Sequence, residues 1–147
     1  MKGYVKAICI SERKGVRKHT VPSAELIADY GLAGDAHAGA WHRQVSLLAD
    51  ESVDTMRPDL PGLAAGDFAE NILTAGLELK ALPIGSLLRV GETELEVTQI
   101  GKECHSDCEI RRLTGKCVMP TDGIFAIVKK GGMIRPGDTV ETVRETV

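Results

Sequence analysis

The chain has 147 residues and a formal net charge of −3 at pH 7, and this length predicts a single domain over residues 1–147. Hydrophobic residues make up 43% of the sequence and aromatic residues only 3%, so aliphatic side chains must fill an ordinary soluble core. The charge balance argues against a nucleic-acid partner, no apolar run reaches the ~20 residues that cross a bilayer, and the absence of a signal-peptide core predicts a cytoplasmic protein.

Alternating apolar residues predict a first strand close to the N-terminus. Val5, Ala7 and Cys9 share one face of it, and Cys9 is expected to belong to the core. The basic stretch over residues 13–19 is predicted as a solvated loop, with an anion-binding rim as the alternative. The later elements are a strand or short helix over 23–28, a helix over 50–57, strands over 44–48, 70–74, 86–90, 94–97, 124–128 and 140–147, and a short helix over 106–113. Many short strands with glycine and proline turns favour a β-barrel or a β-sandwich.

A glycine-rich loop over residues 31–39 (GLAGDAHAG) leads into an apolar segment over residues 41–48. Its three glycines allow unusual backbone angles and the close approach of a ligand. Arg43 can bind a phosphate or carboxylate through two parallel hydrogen bonds, and His37 can donate a proton or orient a group near neutral pH. Asp35 can fix the imidazole tautomer or bind a ligand hydroxyl, and the three side chains predict the wall of a pocket. The alternative is a loop held by its own polar contacts, with Asp35 and Arg43 as an ion pair.

A second candidate half-site follows a predicted strand, in residues 101–108 (GKECHSDC). Cys104 stands close to Lys102 and His105, and nearby cations favour the thiolate, which is the reactive form of cysteine. The alternative for Cys104 is a small buried hydrophobe, although its charged and polar neighbours are not typical of a core.

Four sets of residues resemble the motifs of the MOSC domains, a family named for the C-terminal domain of molybdenum cofactor sulfurases. They are residues 31–39 with 43–48, residues 68–72 (FAENI) with 82–86 (LPIGS), Cys104, and residues 123–126 with 131–138 (GGMIRPGD). The motifs follow the family's order and span nearly the whole chain, whereas each alone would be a weak match. The resemblance implies a closed, mainly β barrel of the MOSC type with a few short helices.

The resemblance also implies a stand-alone MOSC protein of molybdenum-cofactor and sulfur metabolism. In the family, the cysteine that corresponds to Cys104 is proposed to carry sulfur as a persulfide or to ligate molybdenum, and both roles require a thiolate. Cys108 can resolve such a persulfide, although not all family members have this second cysteine. The candidate catalytic residues are therefore Cys104, Cys108 and His37. The candidate ligands of a phosphorylated pterin (molybdopterin) or another anion are Asp35, Arg43, Gly34, Asn71 and His105, and the amide of Asn71 can equally bond a turn.

The chain lacks the aminotransferase-like domain of a full sulfurase, so it is not expected to bind pyridoxal phosphate or to extract sulfur from cysteine itself. A sulfur transferase of this kind needs a partner, either a cysteine desulfurase or another sulfur donor. It would deliver sulfur to a molybdoenzyme or to a cofactor-biosynthesis protein. Oxidoreductase relatives carry an additional N-terminal domain, which puts independent reductase activity in doubt. No nucleic-acid or membrane partner is expected.

Two other functions stay open. A non-catalytic carrier of the molybdenum cofactor would bind its ligand tightly without turnover, and loss of Cys104 would weaken that binding. A small metal-stabilised β protein would use its cysteines structurally, since thiols and imidazoles suit zinc or an iron–sulfur cluster. The ligands would then be Cys104, His105, Cys108 and Cys117.

Overall fold

The structure of the protein, a computed structural model, describes residues 2–58, 60–101 and 122–144, and most of the regular structure there is strand. The strands are β1 (Lys2–Ile10), β2 (His19–Val21), β3 (Ala24–Ile27), β4 (Gly31–Leu32), β5 (Val45–Ala49), β6 (Ile72–Ala75), β7 (Leu87–Val90), β8 (Thr93–Ile100), β9 (Ile124–Lys130), β10 (Gly132–Ile134) and β11 (Thr139–Arg144). A short helix, α1 (Asp50–Asp54), and a 3₁₀ turn (Leu79–Ala81) accompany them. No helix among the described residues is long and apolar enough to cross a membrane.

Seven strands close into a barrel. Around the ring they run β1, β11, β7, β8, β9, β5, β6 and back to β1. All neighbouring pairs are antiparallel except β5 and β6, which are parallel. β2 pairs with the end of β1, and β10, β3 and β4 form a small antiparallel sheet. The closed, mainly β barrel is confirmed, and closure removes the strand edges that an open sheet would expose.

The barrel interior is aliphatic, as the low aromatic content requires. Every strand of the ring contributes to it, and its larger side chains are Val5, Ile8, Val45, Leu47, Ile72, Leu88, Leu95, Val97, Ile124, Val128 and Val140. A second cluster packs α1 against the outer side of the barrel and contains Leu48, Val53, Met56, Phe68, Leu73 and Phe125. β5 lies between the two clusters, so all five of its residues are buried.

β1 departs from the simple alternation predicted for it. Its pairing with β6 shifts register between Val5 and Ala7, as at a β-bulge. Ile8 and Cys9 are consequently both fully buried, which confirms that Cys9 belongs to the core. Burial, together with the nearby Glu70 carboxyl, raises the pKa of the Cys9 thiol to about 12. Cys9 therefore stays protonated at neutral pH.

Most of the other predicted elements are present with shifted ends. The helix predicted over residues 50–57 is α-helical only up to Asp54 and continues with tighter hydrogen bonds up to Arg57. Residues 23–28 contain strand β3 rather than a helix. The sequence pattern misses β2, β4 and β10, because two or three residues are too few to show a periodicity. The helix predicted over residues 106–113 lies outside the described residues.

β8 and β9 form an antiparallel pair whose connection begins at Gly101 and returns at Gly123. The Gly101 N–H donates to the Gly123 carbonyl oxygen at 2.7 Å, directly beyond the last paired residues, Ile100 and Ile124. This hydrogen bond joins the two strands on either side of residues 102–121, which lie outside the described part of the chain.

Candidate functional site

The glycine-rich loop starts at β4 and then makes a series of tight turns. Gly31 has a φ of +129°, and a side chain there would meet the carbonyl oxygen of Gln44 at 2.7 Å, so only glycine fits. The N–H of Ala36 donates to the Ser11 carbonyl at 2.8 Å and ties the loop to the chain that follows β1. Gly34 is exposed and also has a positive φ, +82°, a backbone conformation that favours glycine.

Asp35 holds the loop from a fully buried position. Its carboxylate accepts the Ser11 and His37 backbone N–H groups, each at 3.1 Å, and the Lys18 ammonium at 2.7 Å. Burial alone would raise the pKa of Asp35, but the Lys18 ammonium and the Ser11 N–H outweigh it and lower the pKa. Asp35 is therefore a carboxylate at neutral pH, and its charge is compensated within the loop.

Lys18 is the unexpected member of the site. Its side chain has no solvent exposure, and its ammonium nitrogen lies 2.7 Å from Asp35 Oδ1, 3.0 Å from Ser11 Oγ and 3.0 Å from His37 Nδ1. Burial lowers the pKa of Lys18, while Asp35 opposes that shift. The prediction of a solvated loop over residues 13–19 is wrong for Lys18, because the Asp35 carboxylate in the next loop compensates the cost of burying its charge. No signal within the stretch separates Lys18 from its exposed neighbours.

His37 is half-buried between Lys18 and Trp41. Its carbonyl oxygen accepts the Trp41 indole N–H at 2.7 Å, and the two rings are parallel within 4° with centroids 6.5 Å apart. The Lys14 ammonium lies 4.4 Å from the centre of the Trp41 ring. Asp35 Oδ2 is 3.8 Å from His37 Nδ1, beyond hydrogen-bond range. The imidazole nitrogen is thus contacted by Lys18 rather than directly by Asp35.

Arg43 lies at the end of the loop and connects it to β8. Its Nε–H donates to Gln99 Oε1 at 3.1 Å, and Gln99 Nε2 donates to the Gly101 carbonyl at 2.7 Å. The alternative ion pair between Arg43 and Asp35 does not form, because Asp35 is taken by Lys18. The position of Gln99 in a strand pattern gives no sign of this role in the sequence.

Asn71 is fully buried beside the loop and bonds the backbones of two strands. Its Oδ1 accepts the Ser46 N–H at 2.9 Å, and its Nδ2 donates to the Cys9 carbonyl at 3.0 Å. Both ends of the amide are therefore used within the barrel wall, which corresponds to the structural alternative for Asn71.

Glu70 is a second buried carboxyl, and its sequence context does not distinguish it from an exposed glutamate. It accepts the Gly66 N–H at 2.7 Å and the Phe68 N–H at 3.2 Å. Burial raises its pKa to about 7. The Gly66 carbonyl in turn accepts the Lys18 backbone N–H at 2.9 Å, so the turn that Glu70 holds backs the segment carrying Lys18.

The cysteine half-site lies outside the described residues. This applies to the candidates Cys104, His105 and Cys108 and to Cys117. Within residues 2–58, 60–101 and 122–144, no group of three or more histidine, cysteine, aspartate or glutamate side chains is placed to hold a metal ion.

A cleft of about 660 Å³ opens elsewhere on the barrel. It lies between α1 and the 3₁₀ turn, and its walls include Glu51, Leu77 and Lys80. Asp35, His37 and Arg43 do not line it, so this cleft is separate from the candidate site in the glycine-rich loop.

Comparisons with known proteins match the chain over nearly its full length. A family model described as MOSC domain matches residues 34–141. The structure is similar to the YuaD protein from Bacillus subtilis, with a TM-score of 0.80, 18% identity and coverage of 97% of this chain and 96% of that one. It is similar to YiiM from Geobacillus stearothermophilus (TM-score 0.74, 18% identity, 97% and 75% coverage) and to YiiM from Escherichia coli (0.68, 22%, 99% and 71%). At these identities the likeness shows a shared fold. No curated protein matches the sequence.

Proposed function

Because this chain belongs to the MOSC domain family, we propose that it carries sulfur as a persulfide on Cys104 and transfers it to a molybdenum cofactor or another acceptor. The observation that carries the proposal is the hydrogen-bonded path from Arg43 through Gln99 to the Gly101 carbonyl. Cys104 follows Gly101 by three residues, which limits the distance between their α-carbons to about 11 Å. Gln99 thus links Arg43 to Gly101, and this link supports a common site for the glycine-rich loop and Cys104.

The loop supplies cationic and hydrogen-bonding groups for an anionic ligand. Arg43 donates only its Nε–H to another side chain among the described residues, and a guanidinium has four further N–H groups in a planar fork that suits phosphate or carboxylate. The guanidinium carbon of Arg43 lies 5.2 Å from the centre of the Phe125 ring and 6.0 Å from the centre of the Trp41 ring, so both rings make cation–π contacts with it. Lys14, over the same tryptophan, adds positive charge.

The proposed loading step is an exchange between two sulfur centres. The Cys104 thiolate attacks the outer sulfur of a persulfide on the donor, the donor's S–S bond breaks, and the donor leaves as a thiolate. The donor would be a cysteine desulfurase or another cytoplasmic sulfur donor, since pyridoxal phosphate chemistry has no proposed place in this chain. If Cys108 then attacks the inner sulfur of the Cys104 persulfide, hydrosulfide leaves and a Cys104–Cys108 disulfide forms. The two thiol sulfurs are oxidised while the transferred sulfur is reduced.

A second candidate function is a carrier of the molybdenum cofactor, delivering it to a molybdoenzyme or a cofactor-biosynthesis protein. The cationic loop favours it, because a guanidinium such as that of Arg43 suits the phosphate of a pterin. Arg43 and His37 would hold the phosphorylated end, and Cys104 would be the metal ligand. A bound cofactor would supply a thiophilic metal centre at that position.

Native mass spectrometry of the anaerobically purified full chain, incubated with a cysteine desulfurase and cysteine, tests both functions. The sulfur-carrier proposal expects one added sulfur atom on Cys108→Ser and none on Cys104→Ser. The wild type should carry either the added sulfur atom or, once Cys108 has resolved it, a disulfide that is two hydrogens lighter. A molybdenum–pterin adduct that only Cys104→Ser loses would favour the cofactor carrier. A zinc or iron adduct that needs Cys108 and Cys117 equally, or a chain that takes up nothing, would overturn the sulfur-carrier proposal.

A further inference from the structure

We propose that Lys18 is a positioning residue that fixes the imidazole of His37 as the tautomer protonated on Nε2. The three hydrogens of its ammonium group match three acceptors: Asp35 Oδ1, Ser11 Oγ and His37 Nδ1, at 2.7, 3.0 and 3.0 Å. An ammonium group has no acceptor of its own. The contact with Nδ1 is therefore satisfied only when that nitrogen carries a lone pair.

Two opposing effects act on the ammonium form of Lys18 that this assignment needs: burial lowers the pKa of Lys18, and Asp35 opposes that shift. Asp35, an ionised carboxylate at 2.7 Å, favours the ammonium form of its partner. The lysine side chain has no solvent exposure, so it cannot contact a ligand directly and acts only through the groups around it. Of those groups, His37 is the one whose side chain reaches towards solvent, with 19% of its surface exposed.

The competing arrangement has Asp35 as the partner of the imidazole. In that case Nδ1 would carry the proton and donate it to Asp35 Oδ2. The separation of 3.8 Å is too long for this bond, and Oδ2 already accepts the His37 backbone N–H at 3.1 Å. Lys18 lies within bonding distance of both groups and separates them.

The consequence concerns the protonation of His37 in the candidate site, and this part rests on the proposed function. With Nδ1 engaged by a cation, the proton of neutral His37 is on Nε2, so that nitrogen donates a hydrogen bond. It then cannot remove a proton from a thiol. Trp41 donates its indole N–H to the His37 carbonyl, and its ring is parallel to the imidazole within 4°.

Long-range ¹H–¹⁵N spectra of the uniformly labelled full chain at mildly alkaline pH test the assignment, with the His37 signals identified by their loss in His37→Gln. We expect Nδ1 at the shift of a non-protonated nitrogen and Nε2 at that of a protonated one. In Lys18→Met the Nδ1 resonance should move to the protonated position, because Asp35 Oδ2, 3.8 Å away, is then the nearest carboxylate oxygen among the described residues. Ser11→Ala, which removes another acceptor of Lys18, should leave the tautomer unchanged.

Two results would overturn the proposal: a protonated Nδ1 in the neutral wild type, or an unchanged tautomer in a folded Lys18→Met variant. If Lys18→Met does not fold, the wild-type spectrum still decides the assignment. Because the experiment involves no sulfur transfer, its outcome is independent of whether Cys104 carries a persulfide.

Discussion

Lys18 and Asp35 form an ion pair in which neither side chain has solvent exposure, and it joins two segments 17 residues apart. Removing such charges from water is expensive, so the pair as a whole contributes little to stability. Deleting one member, however, leaves the other as an uncompensated buried charge. The pair thus makes the loop conformation depend on a lysine that no ligand can touch.

We expect Lys18→Met to lower the free energy of unfolding by about 3–5 kcal/mol, because Asp35 then loses its counter-charge. The double variant Lys18→Met/Asp35→Asn should recover most of that loss, since no unpaired charge remains. Urea denaturation measures both, with the exposed Lys14→Met as a control that changes stability by less than about 0.5 kcal/mol. A double variant as unstable as the single one would contradict the pairing.

The raised pKa of Glu70 predicts that the stability of the protein depends on pH. Its folded-state pKa of about 7 lies above the ordinary glutamate value, so its contribution to stability is complete below about pH 4 and is lost as the pH rises through 7. Relative to Glu70→Gln, the wild type should therefore lose up to about 3 kcal/mol between these limits. Denaturation curves of the two proteins across this range provide the measurement. A difference that stays constant with pH would show that Glu70 ionises normally.

At the scale of elements, the parallel pairing of β5 with β6 requires a crossover connection, and residues 50–71 provide it. α1 covers the outer side of the barrel, and the rest of the connection returns through turns that carry Gly66 and Glu70. The turn at Gly66 packs against the backbone of Lys18. A connection needed for strand topology thus also supports the polar loop.

Gly66→Ala should destabilise the protein by at least about 2 kcal/mol, since Gly66 has a φ of +91° and an added Cβ would lie 2.0 Å from the Lys18 carbonyl oxygen. Gly62→Ala is the matched control in the same connection, because its φ is ordinary and nothing lies within 4 Å. It should change the melting temperature little. Equal effects of the two substitutions would show that the close approach is not maintained.

The sequence predicts these elements to different extents, for physical reasons. Long alternating strands such as β8 reveal themselves because one face packs in the barrel, whereas β2 and β4 exist only through their pairing partners. The same difference applies to the site. Asp35, His37 and Arg43 stand out as a local cluster, but the burial of Lys18 depends on a carboxylate in another segment. A local pattern carries no record of such a contact.

At the scale of the whole molecule, the barrel strands β8 and β9 lie on either side of the cysteine segment, residues 102–121. Replacing residues 102–121 by a four-residue turn should preserve the β8–β9 pairing and lower the cost of closing the loop by about 1.4 kcal/mol. Circular dichroism and thermal unfolding check the fold, and persulfide uptake in the same variant should vanish. A shortened chain that fails to fold would support a structural role for the cysteines.

The hydrogen bond between Gly101 and Gly123 has a consequence for how such a protein can diverge. Because the residues that flank it are hydrogen-bonded to each other, the segment between them can lengthen, shorten or exchange its side chains without altering the register of the strands beside it. Selection can therefore change the reactive groups of the insert, including the number of cysteines, while the barrel is inherited intact. Chimaeras that graft this segment onto another barrel of the same fold should therefore keep the strand pairing of the recipient barrel.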